Sequence, residues 1–110
     1  MNKVTYLGEL EQMVLLAVLR LKDDAYGMSI QDELEATANR TVTHGALYIT
    51  LERLIKKGCL TTRMGEPTRE RGGRAKRYVQ VTAAGRAALR ASGRALRDLW
   101  NDHLSLLEEE

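Results

Sequence analysis

Apolar residues crowd the segment from Leu10 to Leu21, at Leu10, Met13, Val14, Leu16, Ala17, Val18, Leu19 and Leu21. That density predicts a helix with more than one apolar face, one of which is left for a partner subunit once a small core is filled. Asp23, Asp24 and Gly27 break this helix and start the next. From Met28 to Ala38, Ile30, Leu34 and Ala38 recur every fourth residue, with Gln31, Asp32, Glu33 and Glu35 off the stripe. This predicts a short amphipathic helix with an acidic outer face, closed by a turn at Asn39 and Arg40.

The segment from Val42 to Gly58 predicts a third helix with clear ends. Thr43 is a good N-cap, and Val42 and Leu47 have the spacing of a hydrophobic staple. Lys56 and Lys57 sit in the last turn, where the helix dipole favours cations. Gly58 suits a left-handed stop. Leu47, Leu51, Leu54 and Ile55 form the stripe to be buried. The exposed arc carries His44, Gly45, Tyr48, Ile49, Glu52, Arg53 and Lys56, and an outward Tyr48 and Ile49 among basic residues is unusual for a merely solvated face.

Cys59 to Met64 and Arg77 to Thr82 are rich in Thr and Val and nearly alternate, so they read as two strands of a hairpin. The connection, EPTRERGGRAK, is basic and carries Pro67, Gly72 and Gly73, which predicts a long hairpin tip. Thr82 then caps a last helix running from Ala83 to about Leu107. Leu89, Ser92, Leu96, Leu99, His103 and Leu106 recur along it in steps of three and four, widened by Trp100 and Leu107. A helix of some 25 residues at ~1.5 Å per residue outruns a small core, so this seam is expected to pair two chains.

Composition narrows the class. The 110 residues suffice for one domain. The apolar run Val14 to Leu19 is six residues, and no uninterrupted stretch approaches the ~20 of a membrane span. MNKVTYLGEL is not expected to act as a signal peptide. The single cysteine, Cys59, leaves no internal disulfide framework, and the chain reads as cytoplasmic. With His44, His103 and Cys59 no zinc site of usual spacing can be built. Nucleophile-elbow, P-loop and dinucleotide motifs are missing, so neither an enzyme nor a cofactor is expected.

The overall charge of +2 hides a strong asymmetry. Residues 1–40 sum to −3, residues 41–97 to +10 and residues 98–110 to −5. A cationic middle section suits a polyanion, because each phosphate neutralised also releases a condensed counterion.

Three helices, a basic-tipped hairpin and one more helix are the element order of a winged helix-turn-helix: mainly α with a small β-hairpin, α-α-α-β-β-α. Such a fold lays its third helix in the major groove, which is ~12 Å wide, and its hairpin tip beside it. The most basic exposed surfaces fall on those two elements.

The chain also resembles the PadR-like transcriptional regulators, through LGELEQMVLLAVL, Tyr26-Gly27, GALYITLERLIKKGCL and GGRAKRYVQVTAAG. The single helix after the wing resembles the small subfamily. The resemblance implies a homodimeric winged-helix repressor whose first and last helices build the dimer interface. Many relatives have proline where this chain has His44 and Ile49, so no base preference is carried over.

The expected organisation is a DNA-binding winged helix over residues 1–82 and a dimerisation helix over 83–110. The expected DNA contacts on the third helix are Thr43, His44, Gly45, Tyr48, Arg53 and Lys56, and on the wing Arg69, Arg71, Arg74, Lys76 and Arg77. The expected dimer contacts are Leu15, Leu19, Leu89, Leu96, Leu99, Trp100 and Leu106. Arg86, Arg90, Arg94 and Arg97 form a cationic stripe on the last helix, read as a solvated face or a partner for the other subunit's acidic helix, with direct DNA contact as the alternative. Trp100 is a candidate platform for a small hydrophobic or aromatic effector, against the plainer reading of a seam anchor. The expected partners are double-stranded DNA and a second copy, with no membrane. The competing reading is a winged helix that binds proteins without sequence-specific DNA contact.

Overall fold

A computed structural model describes residues 5–66, 75–101 and 107–108. The element order is α1 (Glu9–Leu21), a 3-10 turn (Lys22–Asp24), α2 (Gly27–Ala38), α3 (His44–Lys56), β1 (Leu60–Met64), β2 (Arg77–Val81) and α4 (Ala83–Trp100). The strands are antiparallel, with Leu60 opposite Val81 and Met64 opposite Arg77. This is the winged-helix order expected from the sequence.

Helix α1 is the centre of the core. Val14, Leu15, Ala17 and Val18 are all buried, because α1 packs against α2, α3, α4 and β2. Its dense apolar pattern is therefore mostly consumed inside a single chain. Leu15, expected at a dimer interface, is 0% exposed in the protomer's own core, and Leu16 is the α1 leucine left outside, at 49%. Together with Met13, Ala17, Leu34 and Ala38 it lines a shallow apolar groove of about 330 Å³ between α1 and α2.

The turns follow local chemistry. Asn39 caps α2 in the left-handed conformation (φ 51°), and Gly58 closes α3 at φ 77°, a conformation glycine adopts without steric cost. Thr43 Oγ1 accepts from Ala46 N at 3.1 Å, so it caps α3 as expected. Thr82 Oγ1 accepts from Gly85 N at 3.0 Å and donates to Gly58 O at 2.6 Å. One side chain thus caps α4 and ties it to the end of α3. Gly85 sits so close to that corner that a Cβ would lie 2.3 Å from Cys59 O.

Two further contacts fix the body. Val79 N donates to Ala25 O at 2.9 Å, which pins β2 to the turn before α2. Ser92 Oγ, buried, accepts from Leu7 N at 2.8 Å. Up to Ser92 the apolar stripe of α4 is packed against the domain, with Gly85 and Ala88 buried. Beyond it the same stripe is exposed, at Leu96, Leu99 and Trp100.

Candidate nucleic-acid interface

Helix α3 is amphipathic by position. Leu47, Thr50, Leu51 and Leu54 are buried, and Thr50 satisfies its hydroxyl by donating to Ala46 O at 2.8 Å. The opposite face presents His44, Gly45, Tyr48, Ile49, Arg53 and Lys56, all exposed. Tyr48 and Ile49 are each nearly 60% exposed (59% and 58%), which buys nothing for folding. The first turn of α3 carries no acid, so the positive end of its dipole is left for an anion. Gln31 Nε2 donates to Val42 O at 2.8 Å, and α2 thereby sets the angle at which α3 leaves the turn.

The wing root is fastened on both sides. On one, Tyr78 meets Tyr26 edge to face, with ring centroids 5.6 Å apart. The Arg63 guanidinium covers the Tyr78 ring at 4.5 Å and Lys76 Nζ covers Tyr26 at 4.3 Å. Tyr78 lies across Gly65, where a Cβ would come within 2.6 Å of the ring. On the other side, Arg77 reaches α3. Its Nη1 lies 2.8 Å from Glu52 Oε1, and its guanidinium stands 5.9 Å from the Tyr48 ring centre.

These contacts put α3 and the wing root on one surface. Between them opens a cleft of about 500 Å³ lined by Gly27, His44, Gly45, Leu47, Tyr48, Leu51 and Arg77. It joins the first turns of α2 and α3 to the root of the wing. The surface offers hydrogen-bond donors, an aromatic face and guanidinium and ammonium groups, the inventory that phosphates and base edges call for.

The structure leaves His44, Gly45, Tyr48, Arg53 and Lys56 exposed on α3, with Thr43 at its N-cap and Arg77 beside Tyr48. Lys76 lies at the wing root over Tyr26. Arg69, Arg71 and Arg74 lie outside the described residues, as do Leu106 and His103. Leu19 and Leu89 are half-buried against the core. The stripe Arg86, Arg90, Arg94 and Arg97 is exposed on α4. Sequence reasoning missed the role of Glu52. Its charge partner is 25 positions away in β2, a separation that helical periodicity does not reach.

A partly buried ion pair was also illegible. Glu11, at the start of α1, accepts from Lys57 Nζ at 2.8 and 3.0 Å and from Gly8 N at 2.8 Å. Burial pushes its pKa up, but the hydrogen bonds from Lys57 and Gly8 and the charges of Lys57 and Arg53 outweigh this and hold it below the ordinary carboxylate value. It ties α1 to the end of α3. Burial pushes the Cys59 thiol up, as suits an inert core cysteine. Among the described residues no group of His, Cys, Asp and Glu could hold a metal ion, and no helix is long and apolar enough to cross a membrane.

The chain matches the model of the transcriptional regulator PadR-like family over residues 15–91. No curated protein sequence matches it significantly. Among solved structures, a PadR family transcription regulator from Clostridium difficile R20291 is 19% identical, with TM-score 0.71, over 91% of this chain and 99% of its own. A PadR family regulator from Eggerthella lenta DSM 2243 is 25% identical, with TM-score 0.69, over 93% of this chain and 88% of its own. A transcriptional regulator from Clostridium thermocellum is 18% identical, with TM-score 0.72, over 84% and 86%.

Proposed function

The chain belongs to the PadR-like family of transcriptional regulators, and on that premise we propose that it represses transcription by binding a pseudo-palindromic operator as a homodimer. The observation that carries this reading is the shared surface of α3 and the wing root, joined through Arg77. His44, Gly45 and Tyr48 stand where base edges would be read. Arg53 and Lys56 stand where phosphates would be neutralised. Arg69, Arg71 and Arg74 extend the cationic surface in sequence.

The second copy follows from α4. Its buried stripe continues past Ser92 as exposed Leu96, Leu99 and Trp100, an apolar strip that water disfavours and a twofold mate would cover. Division of labour follows: residues 1–82 bind DNA and residues 83–110 join two chains. In such a dimer the two reading helices would sit ~34–36 Å apart, one turn of duplex. Trp100, half-exposed at the edge of that strip, is where a flat hydrophobic effector would stack and release the DNA. The work is done by binding, without catalysis, in the cytoplasm.

The test is selection of binding duplexes from a random pool, followed by a salt titration of the enriched sequence. The reading expects an inverted repeat, and an affinity that falls steeply as salt rises. No enrichment, with binding only to other proteins, would favour the adaptor reading. A monomer in sedimentation would remove the twofold operator.

A further inference from the structure

Glu52 is out of place on the face it occupies. The rest of that arc of α3 is basic, aromatic or neutral, and an acid there repels phosphates and cancels a cation that would attract them. Glu52 Oε1 is nevertheless closed off from solvent, 2.8 Å from Arg77 Nη1. The contact is one of charge and not a well-aligned hydrogen bond. The ion pair sets Arg77 beside α3, and its guanidinium lies within cation–π reach of Tyr48. Tyr48 is the largest exposed side chain of the reading face. Glu52, Arg77 and Tyr48 thus form one bridge from α3 to the root of the wing, and Tyr48 and Arg77 both line the cleft between them.

We propose that Glu52 is a positioning residue for DNA reading: it holds Arg77 against Tyr48 and so fixes the reading side chain and the wing root before DNA arrives. The proposal rests on the DNA-binding reading above and adds to it the device that sets specificity. Its logic is entropic. Arg and Tyr side chains left to rotate must be ordered during binding, and that cost falls hardest on the site whose contacts require one geometry. Binding to any phosphate backbone requires no such geometry. Glu52 therefore weakens binding to duplex in general and sharpens the choice among duplexes.

This dissociates two quantities that a merely structural residue would move together. Glu52→Gln keeps the shape and removes the charge. It is expected to tighten binding to a scrambled duplex. It is also expected to lower the ratio of affinities for the selected duplex and the scrambled one by about fivefold, the scale of one partly exposed ion pair plus one cation–π contact. Tyr48→Leu is expected to lower the same ratio. The double variant should lose no more than the larger single loss, because the three groups act as one unit.

The experiment measures both affinities for wild type, Glu52→Gln, Tyr48→Leu and the double variant, at one salt concentration. A second arm follows the Arg77 Nε–H resonance by NMR in the free protein, where proximity to the Tyr48 ring displaces it and Glu52→Gln should remove that displacement. The proposal is overturned if Glu52→Gln keeps the ratio within about twofold, if the double variant loses the product of the single losses, or if the Arg77 resonance is unchanged. Failure of the wild type to prefer any duplex would refute the DNA reading itself. The NMR arm would still decide whether Glu52 positions Arg77.

Discussion

Replacing Lys57 by methionine separates charge from packing at the joint between α1 and α3. The thioether keeps the length and apolar stem of lysine and loses the ammonium. Glu11, 6% exposed, then keeps the Gly8 amide as a hydrogen-bond donor and loses both contacts from Nζ. Breaking a fully buried pair costs about 3–5 kcal/mol. The Lys57 side chain is 34% exposed, so solvent screening reduces the expected loss to about 1–2 kcal/mol at pH 7. The pH dependence identifies the cause. In the wild type the folded chain binds the Glu11 proton less tightly than the unfolded chain does. The stabilisation from this group is therefore complete above the ordinary carboxylate range and is lost as pH falls through the lowered pKa. Urea unfolding of both proteins, at equal chain concentration and at pH values from neutral to acid, should show a gap at pH 7 that closes as Glu11 is protonated. A gap of the same size at every pH would refute the argument and assign the loss to packing.

Lys56→Ala should weaken binding to selected and scrambled duplexes alike and lower the slope of log affinity against log salt by about one for each protomer engaged, read from a salt titration. Gly85→Ala should destabilise the fold by about 1–3 kcal/mol in denaturant unfolding, because the new Cβ meets the Cys59 carbonyl with no flexible side chain to give way. Leu96→Ser with Leu99→Ser should shift sedimentation from dimer to monomer while leaving the circular dichroism of the winged helix intact, since both side chains are exposed in the protomer.

Local chemistry carried most of the fold. The ends of α3 were legible because Thr43 and Gly58 act on their nearest neighbours, and the hairpin because its strands alternate around a glycine-containing connection. The exposed arc of α3 followed from helical periodicity alone. What stayed hidden is non-local. The apolar surface of α1 suggested a face for another chain; most of it packs against three helices and a strand of its own chain, which a one-dimensional pattern cannot show, and Leu16 is left exposed. Nothing local to Glu11 points to its partner, because Lys57 arrives from the far end of α3. Tyr26, Arg63 and Tyr78 show no mutual contact in sequence and become a single cation–aromatic stack only when the hairpin folds back onto the start of α2. Arg69, Arg71 and Arg74 read as part of a basic tip and lie outside the described residues.

Helix α3 and the wing root are proposed to meet DNA as one surface. The most direct measurement is an NMR map of backbone and side-chain shifts on titration with the selected duplex. His44, Gly45, Tyr48, Arg53, Lys56 and Arg77 are expected to move together, with the salt-sensitive part at Arg53 and Lys56. Shifts confined to Arg86, Arg90, Arg94 and Arg97 of α4, with α3 unmoved, would contradict it.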